Sequence, residues 1–417
     1  MVKNIHILAL ASASFLLVPL AQAEVGHNFT EALTGGKASV DMRLRMENVS
    51  QESKPDDASA LTLRTRLGYL TGDYEGFKAF GEMTHTAAIE NNDYLVPKGP
   101  GANGKTNYPV VADPEISRLN QAWISYSGIA DTTVKMGRQR VILDNARFVG
   151  NVGWRQTEQV YDALVIANTS LPDTTIIYGY VTRAYTIFGT DAQSQSHLVN
   201  VSYNGFSFGK ITGYAYLLDL KGDGGVVVAD NKKNGLVDGQ TLGLRFGGKQ
   251  ALSDSFELLY NLELANQSEY ADSTDVVDNT YTKLELGGSF MGVTAKIGQE
   301  NLGSNEGKYG FQTPLATKHA FNGWGDKFLI TPKKGLVDNY FSIGGKPMGV
   351  KLLAVYHTYT TDDGGDDLGT ELNLLAAKKF TRNYSVGLKY SSYSADDSAT
   401  GHETDTDKVW LWGQVKF

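Results

Sequence analysis

The run SFELLYNLELA places Phe256, Leu258, Tyr260, Leu262 and Leu264 on one side of an extended chain and Glu257, Asn261 and Glu263 on the other. A period of two belongs to a strand, whose successive side chains point to opposite faces. The pattern recurs. In KASVDMRLRMEN, Val40, Met42, Leu44 and Met46 oppose Ser39, Asp41, Arg43, Arg45 and Glu47. In ALTLRTRLGY, Leu61, Leu63, Leu67 and Tyr69 oppose Thr62, Arg64 and Arg66. A sheet with one apolar and one charged face is at home with lipid outside and a water-filled lumen inside.

About 18 segments of this kind reach the ~10 residues that a tilted spanning strand needs. They lie at 37–48, 60–71, 76–88, 117–127, 132–141, 159–168, 174–184, 196–204, 206–219, 240–249, 255–266, 279–290, 292–301, 337–345, 349–360, 368–379, 384–394 and 407–417. Their connections alternate short and long. TGDYEG, SGIAD, SLPD, the Asn204-Gly205 turn, QALSD, Met291-Gly292, KPMG and TRN are short; 89–116, 142–158, 220–239 and 302–336 are long. Short periplasmic turns and long extracellular loops complete an all-β, antiparallel transmembrane barrel, and Asn-Gly is a favoured hairpin turn. An even strand number puts both termini in the periplasm.

The ends of the chain agree. MVKNIHILALASASFLLVPLAQA has a basic start, an apolar middle and an Ala-Gln-Ala close, so residues 1–23 are expected to be a signal peptide cleaved before Glu24. The barrel domain is then 24–417, with 24–36 as a periplasmic lead-in. The last strand, KVWLWGQVKF, ends the chain on Phe417, which resembles the signal read by the outer-membrane assembly machinery. Composition fits: 46 Gly, 22 Tyr, 10 Pro and no Cys suit a large β-structure that needs no disulfides. A net charge of −8 argues against nucleic acid as a partner. The expected setting is the outer membrane of a Gram-negative bacterium, as a monomer among lipid and lipopolysaccharide.

Several motifs fail on context. GPGANGKT (99–106) matches a phosphate-binding loop, but no buried strand precedes it, and two prolines in NYPVVADPEI follow it where a helix should start. DNKKNG (230–235) opens like a calcium loop, yet Lys232 holds a ligand position and Thr241 stands where the bidentate Glu belongs. Asp362, Asp363, Asp366 and Asp367 form a loose acidic run, open to divalent cations but read here as a solvated loop. No H-E-x-x-H, C-x-x-C or G-x-S-x-G occurs, so neither enzyme activity nor a cofactor is expected.

The arginines are uneven. Of twelve, ten precede residue 200. Arg43, Arg45, Arg64 and Arg66 share the inward parity of the first two strands, and Arg245 has it too. Guanidinium stays charged and binds carboxylate in a fork, so such a lining suits an acidic solute. The competing role is stiffening of the wall, with the charges neutralised by Asp41, Glu47, Glu82, Glu257 and Glu263. Parity sends Arg138 and Arg118 outward unless a bulge intervenes or the strand has left the membrane. Trp123, Trp410 and Trp412 are assigned to the wall or the interface belts.

MGRQRVILDNARFVGNVGWRQTEQVYDALVI (136–166), TPLATKHAFNGWGDKFLITPKKGLVDNY (313–340) and DLGTELNLLAAKKF (367–380) resemble the alginate export family of outer-membrane porins. The resemblance implies an 18-stranded monomeric barrel with an electropositive constriction that passes an acidic polysaccharide or its fragments. It adds Arg138, Arg140 and Arg155 as pore residues. The chain looks shorter than a dedicated exporter, and the exporter's long plugging loop and periplasmic gate are not identifiable in it. The resulting expectation is passive diffusion of small, anionic solutes such as uronate oligosaccharides. The alternatives are a polysaccharide export channel, a structural or adhesive barrel plugged by 302–336 and 89–116, and an outer-membrane hydrolase.

Overall fold

A computed structural model describes residues 28–221, 238–273, 276–397, 399, 401 and 404–417. The expected signal peptide and the DNKKNG stretch lie outside these residues. Eighteen antiparallel strands follow one another around a closed barrel. They are β1 Lys37–Gln51, β2 Ala58–Leu70, β3 Phe77–Asp93, β4 Ile116–Ile129, β5 Thr132–Gln139, β6 Val160–Asn168, β7 Thr174–Tyr185, β8 Asp191–Phe206 and β9 Gly209–Leu218. The circuit continues through β10 Gly239–Ala251, β11 Phe256–Ser268, β12 Asp278–Phe290, β13 Val293–Leu302, β14 Leu336–Gly345, β15 Val350–Thr360, β16 Asp367–Lys379, β17 Tyr384–Ser394 and β18 Thr406–Lys416. β18 pairs back onto β1 from Asp41↔Lys416 to Gln51↔Thr406. Every strand read from the alternation is present.

The two faces differ as the pattern requires. Leu67, Met83, Ile124, Met136, Leu284, Ile297 and Leu411 are exposed on the outside, spread around the ring. An apolar belt of this extent is stable only against hydrocarbon, and the closed barrel leaves no strand edge unpaired there. On the inside, rings lie over cross-strand glycines: Tyr214 on Gly243, Tyr340 on Gly298 and Trp412 on Gly387. A Cβ at any of these glycines would fall within 2.3 Å of the ring. The missing side chain is what lets the aromatic lie flat on the wall.

Two local readings change. Asn204-Gly205 is not the hairpin turn. β8 runs on to Phe206, which pairs with Gly209, and the register shift after Tyr203 makes the dipeptide part of a bulge. The lead-in is partly helical. α1, Phe29–Thr34, is capped by the Asn28 side chain on the Glu31 amide at 2.9 Å, and Tyr69 donates its hydroxyl to Leu33 O at 2.6 Å.

The long loops do not stand outside the barrel. Residues 140–159, between β5 and β6, and 303–335, between β13 and β14, turn inward and meet. Val141, Leu143, Phe148 and Val149 of the first share one buried cluster with Phe311 and Leu315 of the second and with wall residues such as Tyr161, Leu198 and Tyr281. Phe148 lies 5.2 Å from Tyr214, 5.3 Å from Tyr281 and 6.0 Å from Phe311 between ring centres. Backbone bonds join the loops: Gly150 N to Leu315 O and Thr317 N to Ala146 O, both 2.9 Å. The loop of residues 94–115 covers a smaller patch, with Tyr94, Val96 and Val111 against Val49, Ala58 and Ala60.

Candidate functional site

β1 and β2 pair with Arg43 directly opposite Arg64 and Asp41 opposite Arg66. The shared face brings Arg43, Arg45, Arg64 and Arg66 together inside the barrel, all four buried. Like charges so close need counter-groups. The infolded loop supplies many of them. Arg43 donates from Nε to Gln156 Oε1 at 2.9 Å, and to the carbonyls of Gly153, Trp154 and Arg155 at 3.3, 2.8 and 2.6 Å. Arg45 donates to Trp154 O at 2.5 Å, bonds the Asp113 carboxylate and stands 3.4 Å from Glu47. Arg64 pairs with Asp41 at 2.7 Å and Arg66 with Glu158 at 3.3 Å.

Arg155 reaches back to the wall. It grips both Glu47 oxygens at 2.8 and 3.0 Å and Asp326 of the other loop at 3.1 Å. Gln156 is fully buried and donates to Arg43 O, Thr62 O and Thr62 Oγ1, while its own amide bonds Asp113 at 2.8 Å. Burial alone would raise the Asp113 carboxyl, but Arg45, Arg155 and the Gln156 amide hold it below the usual range. Burial likewise opposes ionisation of Glu158, and Arg140, Arg66 and the Asn120 amide outweigh it, holding that carboxyl well down.

Arg138 and Arg140 part company. Arg138 shares the face of exposed Met136, where it pairs with Asp162 at 2.9 Å, bonds Tyr185 and stacks on its ring. β5 ends at Gln139, so Arg140 escapes strand parity and points inward, 2.7 Å from Glu158 and 2.9 Å from Glu82. Glu82 also accepts from Asn120 at 2.6 Å and Gln121 at 3.1 Å. A register shift opposite Glu82/Met83 makes Asn120 an extra residue, and both Asn120 and Gln121 are buried. That bulge turns Arg118 inward, against its expected parity, onto the carbonyls of Thr186 and Glu158.

Arg245, Glu263 and Glu257 form no bond with this cluster. Arg245 bonds Asn261 at 3.1 Å, buried Glu263 accepts from Tyr214 at 3.0 Å, and Glu257 pairs with Lys249 at 2.8 Å. Asp41 joins Arg64 to Gln414 and Lys416. Among the decoys, Lys105 pairs with Asp93 and no helix follows Gly104. Asp362 and Asp366 are taken by Asn301, Ser304 and Lys334, and no metal-holding group of three such side chains occurs among the described residues.

The alternation gave no sign of a second centre where the two loops touch. Trp154 stacks on His319 at 5.1 Å and 3°. Lys389 of β17 lies 3.7 Å from the Trp324 ring centre and 4.4 Å from that of Trp154. Trp410 and Trp412, on the lumen face of β18, meet Trp154 edge-on. Four of the five tryptophans thus gather here. A signal was available, since Val141, Leu143, Phe148 and Val149 are too apolar for a solvated loop.

A closed, lipid-belted barrel with an ionic interior narrowed by its own loops defines an outer-membrane porin, seated in the outer membrane of a Gram-negative bacterium. The sequence of the alginate export family matches residues 46–298, more than half of the chain, and the protein belongs to that family. Solved structures give the same fold at low identity. OccAB4 of Acinetobacter baumannii superposes with a TM-score of 0.68 at 11% identity, covering 92% of this chain and 98% of its own. OpdL of Pseudomonas aeruginosa gives 0.68 at 14%, covering 92% and 99%. OpdK of Pseudomonas aeruginosa, solved with vanillate, gives 0.66 at 12%, covering 91% and 98%. No curated protein matches.

Proposed function

We propose that the protein is a passive diffusion channel biased toward small carboxylated solutes, with uronate oligosaccharides as the leading class. One observation carries this reading. All four hydrogen bonds of the Arg43 guanidinium go to neutral acceptors, and it has no ion pair among the described residues. Arg118 likewise rests on two carbonyls and an amide oxygen. Around them stand Arg45, Arg64, Arg66, Arg140 and Arg155, each with a carboxylate. A solute carboxylate offers Arg43 what its neutral acceptors do not, an opposite charge in a forked geometry. Family membership points the same way, as does vanillate, the carboxylate with which OpdK was solved.

The meeting of residues 140–159 and 303–335 inside the barrel favours a second reading, a barrel closed by its own loops. Single-channel recording in a planar bilayer under a salt gradient separates the two. The channel reading expects an anion-directed reversal potential, block by short uronate oligomers, and weaker block in Arg43→Gln. Cation selectivity without block would remove the carboxylate bias, and absence of conductance would favour the closed barrel.

A further inference from the structure

His319 sits on a short 3-10 turn, Lys318–Ala320, within the infolded segment 303–335, and is buried. Its ring is used on every side. From its own loop, Asp326 meets Nδ1 at 2.6 Å. From β17, the Lys389 ammonium meets Nε2 at 2.7 Å. From the other loop, Trp154 stacks on its face, and from β18 Trp410 meets it edge-on at 5.6 Å. Behind Asp326 stand Arg155 at 3.1 Å and Lys408 at 3.0 Å, with Glu47 behind Arg155 and Arg45 over the Trp154 ring at 4.9 Å. From β16, Glu371 accepts the Gly325 amide at 2.8 Å.

With Lys389 as an ammonium, one protonation state of the ring fits these partners. A neutral ring carrying its proton on Nδ1 donates to Asp326 and accepts from Lys389. A second proton, on Nε2, would aim an N–H at an ammonium and add a fourth positive charge to Lys389, Arg155 and Lys408 around one Asp326. We propose that His319 is an acid-released latch, which holds segment 303–335 in the lumen while neutral and frees it on protonation. As a gate it rests on the channel reading above; as a latch it does not.

The linkage has a definite sign. Burial, opposed by Asp326 and reinforced by Lys389, lowers the docked imidazole to about 3 from 6.5. The docked state therefore excludes a proton that the free segment takes up. The latch is at full strength above pH ~6.5 and weakens about tenfold per unit as the pH falls toward 3. Four other loop groups change charge outside most of that window. Glu158, Asp113 and Asp326 are held below the usual carboxylate range, and Lys318, lowered by burial to about 8, changes charge above it.

The test uses the full-length protein in detergent micelles, reading amide hydrogen exchange over residues 313–330 at pH 6.5 and 4.5, corrected for intrinsic rate. Protection there should fall about fiftyfold while the strands keep theirs. His319→Phe keeps a ring against Trp154 without a titrating nitrogen and should flatten the response. Lys389→Met removes the opposing ammonium, lets a charged imidazole stay on Asp326, and should flatten it independently. Unchanged protection in the wild type, or an undiminished fall in Lys389→Met, overturns the proposal. A fall in protection without any rise in conductance keeps the latch and counts against the channel reading instead.

Discussion

Gln156 shows how much one neutral side chain can hold. Its amide bridges Arg43 on β1 and Thr62 on β2, and its backbone bonds Asp113 in the loop of residues 94–115. Gln156→Leu keeps the volume and the backbone bond to Asp113 but strands the Arg43 and Thr62 groups, each at ~1–3 kcal/mol. Limited proteolysis should then cut within 140–159 while the barrel band stays intact on unheated gels. Arg155 is a harder loss. Arg155→Met leaves buried Glu47 with only Arg45 at 3.4 Å, so the loss should stay below the ~3–5 kcal/mol of a wholly uncompensated buried charge. Adding Glu47→Gln should recover most of it, and a double-mutant cycle on the unfolding midpoint checks the coupling. The arginines themselves were legible, because charge on a strand's second face shows in the sequence. Their partners Gln156, Glu158 and Asp113 were not, because loop residues carry no period to say which way they point.

Strands and loops differ in the same respect. Each strand repeats its signal every second residue, so all eighteen could be read. Where the count of residues breaks the repeat, parity misleads: the extra residue at Asn120 reverses Arg118, and the end of β5 releases Arg140 from the face of Arg138. The infolding of 140–159 is a packing event among distant segments, with Phe148 against Tyr281 and Phe311. The sequence marked it only through the apolar run Val141, Leu143, Phe148 and Val149, and two of the three segments that carried the family resemblance, 136–166 and 313–340, overlap the two lumen loops. Replacing 144–156 by a short Gly-Ser link should raise conductance severalfold and leave the strands in place, since β5 and β6 pair from Thr132↔Asn168 to Gln139↔Tyr161 without help from the loop. Bilayer recording beside far-UV circular dichroism reads both halves. A narrower channel or a lost β spectrum would contradict it.

For the whole molecule, closure depends on one seam. β1 and β18 are the first and last strands, so nothing can close until the chain is complete. At the end of the seam Phe417 exchanges both backbone bonds with Val40, at 2.9 and 3.0 Å, and its exposed ring meets Tyr384 edge-on at 5.9 Å. The ring adds little to the packing of the finished barrel, since one side of it faces outward. Its value is expected earlier, as the mark by which assembly machinery finds the last strand. Phe417→Gly keeps the backbone bonds and removes only the ring. Refolded into detergent, that variant should match the wild type within ~1 kcal/mol by denaturant midpoint, while its amount in outer membranes should drop severalfold. Equal amounts in cells would leave the ring no role in assembly. A large loss of stability in detergent would make it part of the seam.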